Sequence, residues 1–386
     1  MAAIAFWAAL LSLVYAYVGF PLLLMIVGTL RGRAVRKQPI TPPLSLIIPA
    51  FNEEEVIGER LENALASDYP AEALEIIVVS DGSSDATEAI VGGFAERGVR
   101  LLARPRQGKN AALAAAVRES SGSILVFSDA NIFCEPGALR ALARNFADPG
   151  VGGVAGNASY RLKSGSESSS RGESLYWRYD TWLKELENRS GSIVSAHGAL
   201  YAVRRELYLP PPDVGAVDDF AISTAVIEAG YRLVFEPEAR AREYAIAEAH
   251  REYRRRVRNM TMSLRAVALR RRLLNPFRYG FYSVVLFSHK VVRRLLSLSL
   301  LALLVSSMML AGSHPVYTTA AVGQICFYGL AGAGLIARRH GLGRLRVLYI
   351  PFYYSMANAA ALVGLIQFVR GRRISLWQPQ RHPDAA

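Results

Sequence analysis

At 386 residues and 52% hydrophobic, the chain can bury one large core with apolar length left over, and that length piles up at its two ends. A net charge of +13 would suggest nucleic acid in a soluble protein, but here the Lys and Arg sit beside hydrophobic segments, so no nucleic acid is expected and an anionic membrane leaflet accounts for them. Only Cys134 and Cys326 are present, far apart, which excludes a disulfide framework and a cysteine metal site and fits a reducing compartment.

Residues 1–30 carry no charged side chain, and Ala2 to Leu30 is long enough to span a bilayer, with Trp7, Tyr15 and Tyr17 as interface aromatics. A cleaved signal peptide is the competing explanation. The run is too long for its apolar region, lacks a basic start, and leads directly into a basic linker, 31–43, with Arg31, Arg33, Arg36 and Lys37. Those cations place the chain beyond the first helix in the cytoplasm.

After Pro42 and Pro43, Leu44 to Ile48 reads as a first buried strand, followed by the loop Pro49 to Glu54 (PAFNEE) and a helix from Glu55 to Ala66. Leu74 to Val79 is a second strand. It ends in Ser80 to Asp85 (SDGSSD), where Asp85 with Glu88 forms a capping box for a helix to Arg97. This alternation predicts a doubly wound α/β fold. Val99 to Ala103 is a short strand, and Gly108-Lys109 opens an alanine-rich helix to Glu119 without the upstream glycine of a phosphate-binding P-loop.

Ile124 to Phe127 is too short and uninterrupted for an amphipathic helix and reads as a strand buried on both faces. It delivers Asp129 and Asn131 to the loop at its carboxyl end, where such sheets bind ligands. One residue apart, the two would point oxygens to the same side, as needed to hold a divalent cation against a diphosphate. The plainer alternative is that Asp129 caps a helix starting near Glu135.

A helix over Gly137 to Phe146, a strand over Val151 to Ala155 and a mobile polar loop over Lys163 to Arg171 come next. Glu173 to Glu187 has helical spacing, with Leu175, Tyr179, Trp182, Leu183 and Leu186 on a face that suits core or membrane contact better than a sugar platform. Ser195 to Val203 is a small-residue loop running into a strand. Val217 opens a helix with Asp218 and Asp219 in its first turn, where the helix dipole favours anions.

From His250 the character changes. Arg251, Arg254, Arg255, Arg256 and Arg258 predict an amphipathic helix at the membrane face, and this is compatible with one or two arginines gripping a diphosphate. Interface helices are expected over 261–294. Residues 295–336 are uncharged with a break at Gly312 to Pro315, which predicts two spans; Val347 to Val369 is a third, although Pro351 and Asn358 give it the means to bend or re-enter. Strict alternation would put the basic tail 370–386, with Arg370, Arg372 and Arg373, outside, against the positive-inside tendency. The sequence leaves that conflict open.

The motifs PAFNE (49–53), VSDGSSD (79–85), Gly108-Lys109, SDAN (128–131) and VDD (217–219), in this order and each at a predicted strand end, resemble the family 2 glycosyltransferases over about residues 42–260. In layout the chain is similar to membrane-embedded members such as cellulose, hyaluronan and poly-N-acetylglucosamine synthases. The resemblance implies a GT-A fold over residues 44–260 that binds a nucleotide-sugar. It further implies that Glu53 and Asp81 contact the uridine, with Lys109 beside it, and that Asp129 coordinates Mg²⁺ or Mn²⁺. Asp219 matches the general base and Asp218 the carboxylate before it. His197 and Gly198 match the acceptor-site loop, and Arg256 the arginine of Gln-x-x-Arg-Trp near the diphosphate.

Three positions depart from the family pattern. The second Asp of Asp-x-Asp is Asn131, an amide that ligates a cation without adding charge. The Gln and Trp of Gln-x-x-Arg-Trp are Tyr253 and Val257, which removes the stacking ring expected of a processive synthase. The expected function is inverting transfer of a sugar from a nucleotide donor, UDP first, to a lipid-linked or saccharide acceptor, with a short product, in glycolipid or polysaccharide biosynthesis. The enzyme would be multi-pass in a bacterial-type inner membrane, in contact with membrane lipids, its catalytic domain cytoplasmic. The competing readings are a catalytically inactive sugar-nucleotide-binding subunit and a processive synthase.

Overall fold

A computed structural model describes residues 1–162, 167–211, 217–245, 249–337 and 345–372, with the side chains at 160–177 and 244–252 left out. Eight strands form one sheet: β1 (Leu44–Ala50), β2 (Leu74–Asp81), β3 (Val99–Arg104), β4 (Ile124–Phe127), β5 (Ile132–Cys134), β6 (Val151–Leu162), β7 (Tyr201–Arg204) and β8 (Arg232–Ala245). Their order is β3-β2-β1-β4-β7-β6-β8-β5. The first four run parallel, and β7 reverses direction beside β4. The carboxyl ends of β1, β2 and β4 therefore open on one edge, and the loops there carry the expected site residues.

β1 is buried along its whole length, as its apolar run requires. Its alternate residues feed two cores. Leu46 and Ile48 pack with Ile76, Val78 and Val126 under α2 (Ile57–Leu65) and α5 (Ala138–Ala143), while Ile47 joins Ile77, Val79, Leu125 and Phe127 on the other face. Helices α3 (Thr87–Gly92) and α4 (Lys109–Glu119) complete the first half, and α6 (Glu167–Ser190), α7 (Asp218–Glu228) and α8 (Ala249–Leu269) the second.

Four helices are long and apolar enough to cross a membrane: α1 (Ala2–Arg31), α9 (Phe281–Met309), α10 (Pro315–Ala337) and α11 (Arg346–Val369). Two of them are partly sunk in the sheet domain. Phe20 and Leu24 of α1, and Tyr282, Val285 and Leu286 of α9, lie in the same core as Ile47 and Leu125. The basic linker is pinned down as well: Lys37 pairs with the fully buried Glu236 at 2.8 Å, and Arg232 donates to the Arg33 carbonyl at 2.9 Å.

Some sequence expectations shift. Glu88 does not close a capping box with Asp85; its carboxylate accepts from Ser80 Oγ at 2.6 Å, and Asp85 instead binds the Thr87 amide and hydroxyl. Of the loop expected over Lys163 to Arg171, residues 163–166 lie outside the described residues and the remainder is already helical, since α6 starts at Glu167. The expected boundary between interface helices and spans at 294 falls inside a continuous helix, α9, which carries a π turn over Phe287–Val292. Helix α8 is tied to the domain beyond its end by Arg270, which pairs with Glu228 and donates to the Ala221 carbonyl at 3.1 Å. Both halves of α11 meet α8: Tyr353 takes Arg256, and the Gly364 carbonyl accepts from Thr261 Oγ1 at 3.1 Å.

Candidate active site

The site starts at the ends of β1 and β2. Asn52 adopts a left-handed backbone (φ 51°), which Asn tolerates because its side chain bonds locally. Here the Asn52 carbonyl oxygen accepts from the Ser84 amide at 2.8 Å, clamping the two loops together. Gly82 (φ 72°) has no alternative, since a Cβ there would stand 2.8 Å from the Arg106 nitrogen. That close approach lets the 106–108 turn fold over Asp81. Its carboxylate accepts from the amides of Gln107 (2.8 Å) and Gly108 (2.9 Å) and from Arg106 Nη1 (3.0 Å), and only 2% of the side chain is exposed. Arg106 in turn lies 3.2 Å above the Phe51 ring. Glu53 is buried beside them, its amide donating to Thr87 Oγ1 at 2.8 Å.

At the end of β4 the carboxylates converge. Lys109, the first residue of α4, places its ammonium 2.7 Å from Asp129 Oδ1 and 3.0 Å from Asp218 Oδ2. Burial disfavours the charged lysine, but Asp129 and Asp218 outweigh it and hold the Lys109 pKa well above the ordinary range. Asp219, the next residue, is treated differently. Burial first, and the neighbouring Asp218 second, raise it to about 6, against the pull of Lys109, Lys290 and the Phe220 amide, which donates to its Oδ1 at 2.6 Å. Gly198 lies between Asp219 and Asp129: a Cβ on it would lie 3.5 Å from Asp219 Oδ2 and 3.6 Å from Asp129 Oδ2, ordinary contact distances that bring both carboxylates to this loop.

Among the described residues no three His, Cys, Asp or Glu side chains gather as a metal site. The donor set nevertheless suits a hard cation held partly by substrate phosphates, because such ions take one or two protein carboxylates and fill the remaining positions from phosphate and water. Asp129 keeps 31% of its side chain exposed. Asn131 donates its amide to Glu243 Oε1 at 3.1 Å, which turns its carbonyl oxygen away from that carboxylate.

On the membrane side, His197 accepts from the Ala199 amide at 3.4 Å through Nδ1. Burial lowers its pKa to about 4, helped by Lys184, Lys290 and Arg255 and opposed by Asp180. The imidazole is therefore neutral at physiological pH. Arg256 is stacked 4.8 Å over the Tyr353 ring and donates to the Tyr353 hydroxyl. Of the α8 run, Arg255 bears electrostatically on His197; the side chain of Arg251 lies outside the described residues. Sequence reasoning missed Arg106, Lys184, Glu243 and Lys290. Arg106, three residues before Lys109 in a turn after a predicted strand, carried a readable signal. The others are brought in by packing between distant segments.

Residues 45–209 match the family model described as Glycosyl transferase family 2. The chain is 27% identical over 222 residues to an N-acetylglucosaminyltransferase of Azorhizobium caulinodans, covering 53% of this chain and 55% of that protein. It is 28% identical over 206 residues to a poly-beta-1,6-N-acetyl-D-glucosamine synthase of Staphylococcus aureus, covering 50% and 48% respectively. The chain thus spans about half the length of these curated relatives. A mannosyltransferase from Pyrobaculum calidifontis, solved with GDP-Man and Mn²⁺, superposes with a TM-score of 0.70 at 23% identity, over 95% of this chain and 99% of that one, a likeness of fold. Among helices of membrane-spanning length, residues 45–209 therefore match a family 2 glycosyltransferase domain, within a GT-A fold.

Proposed function

We propose that the chain transfers a sugar from a nucleoside diphosphate donor to a hydroxyl of a lipid-linked or saccharide acceptor, with inversion at the anomeric carbon. The observation that carries this reading is the unequal treatment of two adjacent carboxylates. Asp218 is claimed by Lys109, whereas Asp219 is buried with its pKa raised to about 6, close to where a general base works best. Asp219 takes the proton of the acceptor hydroxyl as its oxygen forms a bond to the anomeric carbon. The bond from that carbon to the diphosphate oxygen breaks, and the nucleoside diphosphate leaves. A single displacement of this kind inverts the centre.

Asp129, with the Asn131 carbonyl, would hold Mg²⁺ or Mn²⁺, which supplies positive charge to the diphosphate. Lys109 fixes the Asp129 and Asp218 carboxylates from α4, and the neutral His197 with Gly198 shapes the space beside Asp219. For the nucleoside, Phe51 and Arg106 over Asp81 and Glu53 form the ledge at the strand ends. N-acetylglucosamine ranks first among the donor sugars on the relatives' names, and GDP-linked mannose second on the structural neighbour's.

The basic linker argues for a cytoplasmic catalytic domain. Contact of both halves of α11 with α8, which the domain anchors, supports a tail on that same face; labelling of an Arg372→Cys variant from the opposite face would refute this.

The test is a panel of UDP- and GDP-sugars given to the purified, full-length protein with Mn²⁺, then with excess EDTA. Transfer or slow donor hydrolysis that stops on chelation is expected. Nucleotide binding without turnover of any donor would favour an inactive binding subunit.

A further inference from the structure

The turn that carries Asp129 and Asn131 is closed by the Ile132 amide, which donates to the Asp129 carbonyl at 3.2 Å, and it runs directly into β5. Three residues are at the short end for a strand, and β5 is held from two sides. It pairs antiparallel with β8, Ile132 standing opposite Glu243. It is also latched to α2 by Asn63, whose side chain accepts from the Cys134 amide at 2.8 Å and donates to the Cys134 carbonyl at 2.9 Å. Just past β5, the Glu135 amide donates to the Arg240 carbonyl at 2.9 Å and Arg242 donates to the Glu135 carboxylate at 2.9 Å. Glu243 is thereby fixed beside the turn, across from the residue that follows Asn131.

From there Glu243 Oε1 lies 3.1 Å from the Asn131 side-chain nitrogen. An ionised carboxylate only accepts, so the end of Asn131 that faces it is the NH₂, and the one acceptor oxygen of the amide is turned away. The last torsion of an asparagine is broad and roughly two-fold, so without Glu243 either end of the amide would come round to the cation side. The contact also accounts for an amide at position 131. An aspartate there would set a second carboxylate against Glu243, whereas the amide bonds to it. Hydrogen bonds in a chain polarise one another, so an amide whose N–H is held by a carboxylate carries more negative charge on its oxygen.

We propose that Glu243 is a positioning residue for the divalent cation on the donor diphosphate. It orients Asn131 so that the carbonyl oxygen joins Asp129 in holding the cation, and it returns through that amide part of the charge that a neutral ligand lacks. Glu243 itself touches neither the cation nor the donor. This rests on the glycosyl-transfer reading above, but its test reads metal binding and not transfer.

The full-length protein in detergent is titrated with Mn²⁺, alone and with UDP or GDP, and free Mn²⁺ is read from its paramagnetic resonance signal. Glu243→Ala should weaken Mn²⁺ binding by about 10- to 100-fold, the usual cost of removing a group that orients a metal ligand, while metal-free nucleotide binding stays unchanged. Glu243→Gln keeps the shape and an accepting oxygen but drops the charge, and should fall between wild type and Glu243→Ala. Asn131→Ala closes the cycle: once the amide is gone, adding Glu243→Ala should change Mn²⁺ affinity little. Losses that simply add in the double variant would overturn the proposal, since Glu243 would then act apart from Asn131. A parallel loss of metal-free nucleotide binding in Glu243→Ala would also overturn it. Wild-type protein that binds no Mn²⁺ even with nucleotide would sink the metal part of the transfer reading and this inference with it. Wild type that binds Mn²⁺, with Glu243→Ala binding it equally well, would sink the inference alone.

Discussion

The two sides of Asp219 are built on opposite charge rules. On the sheet side every charge that bears on the site has a close partner: Asp81 with Arg106 and two backbone amides, Asp129 and Asp218 with Lys109. On the other side Lys290 has no carboxylate at ion-pair distance among the described residues; its ammonium lies 5.9 Å from the Phe220 ring centroid, and Asp219, Asp180 and Glu187 attract it at longer range. Paired charges in a low-dielectric setting fix geometry, since each partner limits the other's movement. The sheet side thus reads as a positioning device, and Lys290 on the other side of the proposed base as a charge held more loosely.

Removal of the base gives the largest effect. Asp219→Asn should lower transfer by about 10² to 10⁴ while nucleotide affinity stays near wild type, because the base acts on the acceptor. The pH profile sharpens the point. Asp219 has its pKa raised to about 6, so it is ionised and able to accept a proton above that pH and protonated below it; the rate should fall as pH drops through about 6. Lys290 holds that value down, so Lys290→Gln should move the acid limb to higher pH. An unchanged limb in that variant would separate Lys290 from the base and erase the comparison of the two sides.

A second, smaller effect tests the pairing rule on the sheet side. The sequence alone suggests that Asn131→Asp simply adds an anionic ligand and tightens metal binding. Because Asn131 donates to Glu243, the change also sets two carboxylates against each other. Without metal the variant should melt about 2–4 °C lower, the shift that roughly 1 kcal/mol produces in a domain of this size. Added Mn²⁺ should stabilise it more than it stabilises the wild type. Scanning calorimetry with and without Mn²⁺ measures both, and a metal-free variant as stable as wild type would show that Glu243 does not feel position 131.

Legibility in the sequence divides along the same line. Strand-end motifs are local: an apolar run, then a short polar loop, is enough to locate Glu53, Asp81, Lys109 and Asp129, and the helix-start pattern locates Asp218 and Asp219. The membrane-side group is assembled from residues about a hundred positions apart, such as Lys184 and Lys290, with no periodicity linking them. Strand β8 escaped notice because Glu236 and Pro237 interrupt its apolar pattern, although Glu236 is buried against Lys37, Arg144 and Asn145. Adjacent arginines on a helix point about 100° apart, and spacing alone does not say which of them faces the site.

Arg255 and Arg256 give the finest test of that last point. By resemblance, Arg256 grips the diphosphate; in the structure it is stacked on Tyr353 across the seam between α8 and α11. Arg256→Lys keeps the charge but loses the planar fork and the stacking. If Arg256 ties the helices together, the variant should lose about 1 kcal/mol of stability, the scale of a partly desolvated cation–π contact, with kcat and donor KM unchanged. Val257 and Met260 already bring the two helices together at Gly364, where a Cβ would come within 2.6 Å of Met260 Cβ, so the seam should survive the change. Arg255→Lys should leave stability alone and raise the acceptor KM, because the charge of Arg255 bears on His197 beside the proposed acceptor space. Melting curves and initial rates on the same preparations separate the two. A fall in transfer with unaltered melting in Arg256→Lys would return the diphosphate role to Arg256 and make Tyr353 its resting partner.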